Sequence, residues 1–189
     1  MEDRPPRLSS TILARFLSTA GHPFVLVPLM LAAATRNWVW TAAVSAGMIL
    51  PLLVITLRNV RRGTWSDPDV SRQDQRSGLY RVGLPLLAAT AVLLYLLDAS
   101  PAMMRGVAAV AAMLLLGVLG NRFLKISLHL MIAAYCAVII GDLYPRTIPF
   151  LLIALAALAW SRRKLERHTW MEVAVGTVIG AAAAWLAIA

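Results

Sequence analysis

The sequence has one cysteine, Cys136, so it can form neither an intrachain disulfide nor a thiolate metal cluster. Cys136 sits in the apolar run 130–140, where it reads as a helix-packing residue. Acidic residues are also scarce: 9 Asp and Glu stand against 18 Lys and Arg, giving a net charge of +9 and a pI near 11.0. Nucleic acid binds basic residues on an exposed face, whereas here they crowd short loops, so no nucleic-acid partner is expected. Polar stretches are missing too, and only 58–78 is long enough to fold into something of its own. The first apolar run is broken by Gly21, His22 and Pro23, unlike a simple cleaved signal, and reads as a retained first helix.

What fills the chain is hydrocarbon. Of its 189 residues 60% are hydrophobic, and the mean hydropathy is +0.73, beyond what a soluble domain of this size carries. Crossing about 30 Å of bilayer takes roughly 17 to 25 apolar residues in a helix. Seven segments qualify: 11–35, 38–57, 79–97, 101–120, 123–142, 145–161 and 170–188. The expected fold is therefore all-α, a single transmembrane domain of about six to seven helices. Pro23 and Pro28 predict a bend in the first, because proline removes a backbone donor.

Short connections make neighbouring helices antiparallel, so alternate loops share a side. On that count Arg36, Arg105 and Arg146 lie on one side and the other fifteen basic residues, Arg4 and Arg7 among them, on the opposite one. The positive-inside rule then puts the N-terminus and the polar loops in the cytoplasm. A compact, loop-poor, arginine-rich chain fits a bacterial inner membrane.

Three polar clusters fall on that side. In 66–76, SDPDVSRQDQR, Arg72 and Arg76 are spaced to share a helical face and form an anion site, the alternative being a solvated loop whose charges neutralise one another. In 121–129, NRFLKISLH, Lys125 and His129 lie one turn apart. A histidine that deep in a membrane segment is a functional candidate unless an interhelical hydrogen bond satisfies it. In 161–172, SRRKLERHTWME, His168 precedes a helix N-terminus, and Glu172, one turn on, can hold one ring nitrogen and present the other as a nucleophile. Thr169 and Glu172 also spell a capping box, which would leave the carboxylate no catalytic task. His22, beside Pro23 and without a neighbouring carboxylate, reads as structural.

Ser161-Arg162-x5-His168-x3-Glu172 resembles the third signature of the type 2 phosphatidic acid phosphatase superfamily, Ser-Arg-x5-His-x3-Asp, and Ser127-x-His129 resembles its second, Pro-Ser-Gly-His. The resemblance implies that His168 attacks phosphorus to form a phosphohistidine and that His129 protonates the departing alcohol. It implies a phosphate held by Arg162 and by basic residues of the first cluster, Arg72 and Arg76, with no metal or other cofactor. Lys125, Ser127 and Ser161 join the expected phosphate-binding set. The chain departs from the pattern in several places: Lys-x6-Arg-Pro is absent, Leu128 replaces glycine, Ile126 replaces proline, and Glu172 replaces aspartate.

The expected activity is hydrolysis of a phosphomonoester or diphosphate headgroup on a phospholipid or prenyl lipid, the chain remaining among membrane lipids. Two other classes stay open. Basic loops that only grip anionic headgroups would make a transporter or lipid-binding scaffold. Asp67, Asp69 and Asp74 faintly resemble the Mg²⁺-binding motif of membrane prenyltransferases, without a second such motif; the signature of the phosphatidyltransferases has no counterpart.

Overall fold

The computed structural model of the chain describes residues 8–189; Arg4 and Arg7 lie outside them. The described residues form eight helices and no strand. These are α1 (Leu8–Ala20), α2 (Pro23–Thr35), α3 (Trp38–Arg61), α4 (Arg76–Leu96), α5 (Pro101–Gly120), α6 (Leu128–Leu143), α7 (Ile148–Lys164) and α8 (Trp170–Ile188).

Four of them, α3, α4, α5 and α8, are long and apolar enough to cross a bilayer; α1 and α2 meet the same test only as a pair, bent by 49°. The bend falls at Pro23, with His22 as the N-cap of α2, whereas Pro28 stands inside the continuous helix. The expected span 123–142 becomes a shorter helix, and 145–161 becomes a helix of the same 17 residues shifted to 148–164. The 16 residues of α6 rise about 24 Å, less than the hydrocarbon thickness. Residues 121–127 are apolar in part but irregular, and Ser127 caps α6 through the Leu130 N–H. α7 starts after a 3₁₀ turn, Pro145–Thr147, and ends on Arg162, Arg163 and Lys164, cations that suit the carbonyl end of a helix.

α3 contains a π turn, Ser45–Ile49, directly before Pro51. Proline has no N–H to donate and its ring clashes with the carbonyl four residues back, which the wider turn relieves. Large apolar side chains such as Phe16, Leu29, Leu96, Leu119, Phe150 and Leu186 stand exposed on six different helices. An apolar exterior of that extent belongs in lipid.

The core is built around α6, whose residues from His129 to Cys136 are all buried. α2, α7 and α8 surround it. α8 approaches through Gly176 and Gly180: a Cβ on Gly176 would stand 2.6 Å from the Ser127 carbonyl oxygen, and one on Gly180 would strike that of Met131. This small-xxx-small stripe lets two backbones touch, the packing that replaces the hydrophobic effect between helices in lipid. It also fixes the start of α8, with His168 and Glu172, beside the loop that carries Lys125 and Ser127.

Candidate active site

Three connections meet at one end of the bundle: 62–75, 121–127 and 165–169. Gln73 donates to the Asn121 carbonyl, and Asn121 Nδ2 returns a bond to the Gln73 carbonyl at 3.2 Å. Arg76, fully buried, donates to the carbonyls of Val70 and Ile126 and so ties the first connection to the second. Arg167 donates to Asp67 Oδ2 at 3.2 Å and to Ser71 Oγ at 2.6 Å, tying the third to the first. The Ser127 N–H donates to the Glu172 carbonyl at 3.1 Å.

His168 is buried where these strands of contact cross. Its Nδ1 lies 3.0 Å from the Lys125 carbonyl oxygen and 3.1 Å from Glu172 Oε2. Both neighbours are acceptors, so Nδ1 carries the ring proton and the Nε2 lone pair is left for chemistry. Burial, followed by the charges of Arg76, Arg162 and Lys125, holds the imidazole well below its ordinary value of 6.5, so the ring is neutral. The same Oε2 of Glu172 accepts the Thr169 N–H at 3.0 Å, and Thr169 Oγ1 accepts the Glu172 N–H at 3.2 Å. Capping box and histidine partner, alternatives in the sequence, are one carboxylate doing both.

A second group of polar side chains surrounds Asp69. Arg162 Nη1 donates to Asp69 Oδ2 and to Ser18 Oγ, each at 2.6 Å. His129 Nε2 and His22 Nε2 stand 3.6 and 3.7 Å from Asp69 Oδ1. Their rings meet edge to face, 4.8 Å between centroids. His129 Nε2 and Arg162 Nε are both buried without a hydrogen-bond partner among the described residues. The backbone next to Asp69 is strained at Val70, φ +46°; a β-branched residue in the left-handed region is held there only by its surroundings. Val70 is buried, and its carbonyl is the one bonded by Arg76.

A cavity of about 850 Å³ opens from His22, Asp69 and His129 and runs between α2, α3, α4, α5 and α6. Its lining along α6 goes from Leu128 to Leu143, about 20 Å, and is mostly apolar. It reaches Asp98 and Asp142 at the far end of the bundle.

Of the residues singled out in the sequence, His168, Glu172, Lys125, Arg76, Arg162 and His129 lie in this region. Lys125 contributes its carbonyl directly, and burial lowers the pKa of its ammonium. Arg72 does not join: it is exposed and pairs with Asp74 at 3.1 Å. The helix starts only at Arg76, so the two arginines share no helical face. Ser127 spends its hydroxyl on the α6 cap, and Ser161 donates to the Ala14 carbonyl at 2.6 Å, a bond between α7 and α1. His22 and Ser18 were not expected in a site, and Asp69 entered only through the faint Mg²⁺-binding motif of the prenyltransferase alternative; their contacts cross up to 144 residues of sequence.

Could the His22, Asp69 and His129 group hold a metal? Their ligand atoms all lie within 4.8 Å of one another. The Phe24 N–H, however, donates to His22 Nδ1 at 3.2 Å, which places the ring proton on Nε2, the atom facing Asp69. A protonated nitrogen is no ligand, and the Arg162 charge sits on the same carboxylate, so the donor set fits an anion better than a cation. Comparison with protein-family models, with curated proteins and with solved structures finds no match to this chain.

Proposed function

We propose that the chain is an integral membrane lipid phosphatase that works through a phosphohistidine on His168. The observation that carries the reading is the His168 ring itself: neutral, its proton fixed on Nδ1 by two acceptors, among Arg76, Arg162 and Lys125. A desolvated neutral nucleophile beside fixed cations suits attack on a phosphate, where catalysis is mainly positioning and charge stabilisation.

In the mechanism, a phosphomonoester or diphosphate headgroup is held by Arg162 and the nearby cations. His168 Nε2 attacks phosphorus, the bond to the lipid-side oxygen breaks, and His129, entering as the imidazolium, gives that oxygen a proton and is left neutral. His129 then takes a proton from water, whose oxygen attacks the phosphohistidine and releases phosphate and free His168. As Nε2 gains the phosphoryl group, positive charge grows on the ring, and the Glu172 carboxylate at Nδ1 stabilises it. The apolar cavity next to His129 receives the lipid tail. The similarity of the second and third clusters to the phosphatidic acid phosphatase signatures supports the same roles, and the charge distribution supports a cytoplasmic-side site in a bacterial inner membrane.

The test is phosphate release in detergent from phosphatidate, phosphatidylglycerophosphate and prenyl phosphates, with EDTA present. Release by wild type, lost in both His168→Ala and His129→Ala, supports the reading. Activity that survives His168→Ala overturns it. A second reading, a lipid transporter, is favoured by the reach of the cavity to both ends of the bundle. It gives the His168–Glu172 pair no task.

A further inference from the structure

Asp69 is an awkward fit among its neighbours. Its Oδ2 makes a short bond to Arg162, but its Oδ1 faces two imidazole nitrogens at 3.6 and 3.7 Å, beyond the 2.7–3.2 Å of a hydrogen bond. One oxygen stretched between two donors satisfies neither. His129 Nε2, on a residue 4% exposed, consequently has no hydrogen-bond partner among the described residues. A phosphate monoester carries three non-bridging oxygens, and orthophosphate four, on a larger body, enough to give one to each of Arg162, His22 and His129.

His22 is fixed as a donor to that position. Its Nδ1 caps α2 by accepting the Phe24 N–H, so its Nε2 must carry a proton whenever the ring is neutral. The break between α1 and α2, which the sequence marks with Pro23, thereby turns an N–H toward the carboxylate. Asp69 itself stands on a connection, not a helix, with the strained Val70 next to it, and its position is one a loop can leave.

We propose that Arg162, His22 and His129 form a seat for a phosphate dianion, that the Asp69 carboxylate fills it in the resting protein, and that phosphate binds by displacing Asp69. His22 is then a headgroup-binding residue contributed by the first helix pair. The identity of the anion as a lipid headgroup, and the proton on His129 Nε2, rest on the phosphatase reading; the seat does not require turnover.

The experiment is calorimetric titration of the detergent-solubilised protein with orthophosphate, and in parallel with a short-chain phosphatidate. Asp69→Asn removes the internal competitor and is expected to bind orthophosphate about tenfold more tightly than wild type. His22→Asn keeps the helix cap, since asparagine is a strong N-cap, but has no group that reaches the seat; it is expected to bind about tenfold more weakly. Phosphatidate binding more tightly than orthophosphate in both titrations assigns the seat to a lipid headgroup, and equal binding assigns it to free phosphate. Should Asp69→Asn fail to fold with Arg162 unpaired, His22→Asn in the otherwise native chain decides. Affinity unchanged in His22→Asn, or no tighter in a folded Asp69→Asn, overturns the proposal. Binding as expected without hydrolysis of any lipid phosphate keeps the seat and discards the phosphatase. Hydrolysis without the affinity changes does the reverse.

Discussion

Replacing Glu172 by glutamine separates two tasks that one oxygen performs. Glu172 Oε2 accepts from both His168 Nδ1 and the Thr169 N–H, at 3.1 and 3.0 Å. The amide oxygen of glutamine still accepts from the Thr169 N–H, so the start of α8 keeps its cap and the thermal midpoint moves little. On the proposed mechanism, what disappears is the negative charge opposite a ring that becomes positive as Nε2 takes the phosphoryl group. A hydrogen bond to a charged acceptor contributes about 2 kcal/mol net, which corresponds to roughly thirtyfold in rate. The loss is expected in kcat more than in KM, because the interaction strengthens only as charge develops. Steady-state phosphate release, with a melting curve on the same preparation, measures both. Thr169→Ala is the mirror variant: it removes the other half of the box, costs about 1 kcal/mol of stability, and leaves kcat within a few-fold. Unchanged kcat in Glu172→Gln would refute the dual role and leave the residue a cap alone.

Burial and neighbouring cations hold His168 below its ordinary 6.5, so on the proposed mechanism it stays unprotonated as pH falls through that value, and the acid limb of kcat/KM is expected lower than a free histidine would place it. Lys125→Met removes one of the cations responsible and moves that limb upward. The depressed value has a linked cost: below about pH 6.5 the unfolded chain takes up a proton that the folded one does not, so stability contributed by this group falls on acidification and is intact above it. Unfolding followed from pH 8 to pH 5 in wild type and in His168→Gln checks the sign. Arg72→Ala should leave activity within about twofold, since an exposed pair with Asp74 is worth 0 to about 1 kcal/mol. Gly180→Leu should cost about 3 kcal/mol or more, because α6 and α8 touch backbone to backbone there, while Gly47→Ala, with open space around it, should be neutral or stabilising.

The helices were legible because a bilayer demands run length, and run length is visible in a sequence. Where apolar residues serve another purpose the reading slipped: Phe123, Leu124 and Ile126 look like the opening of a span, yet they form the irregular connection before α6, with Phe123 largely exposed. The His168–Glu172 spacing was readable since the partners stand only four residues apart, across the N-terminus of α8. Arg72 and Arg76 show the converse, a helical spacing in a stretch that is not helical until Arg76. His22, and Asp69 beyond its place in a faint Mg²⁺-binding motif, were hidden for a different reason. Their value lies in contacts with each other, with Arg162 and with His129, made across tens of residues and fixed by packing; the only local trace was Pro23, which marked the bend but not what the bend presents.

The most direct test of the account is to look for the covalent intermediate. Wild type mixed with a hydrolysed lipid phosphate, quenched in base and digested, should yield a peptide carrying a phosphoryl group on His168, stable to alkali and lost in acid, and His168→Ala should yield none. A turnover-competent protein with no phosphoryl group at His168 under those conditions would contradict the mechanism at its first step.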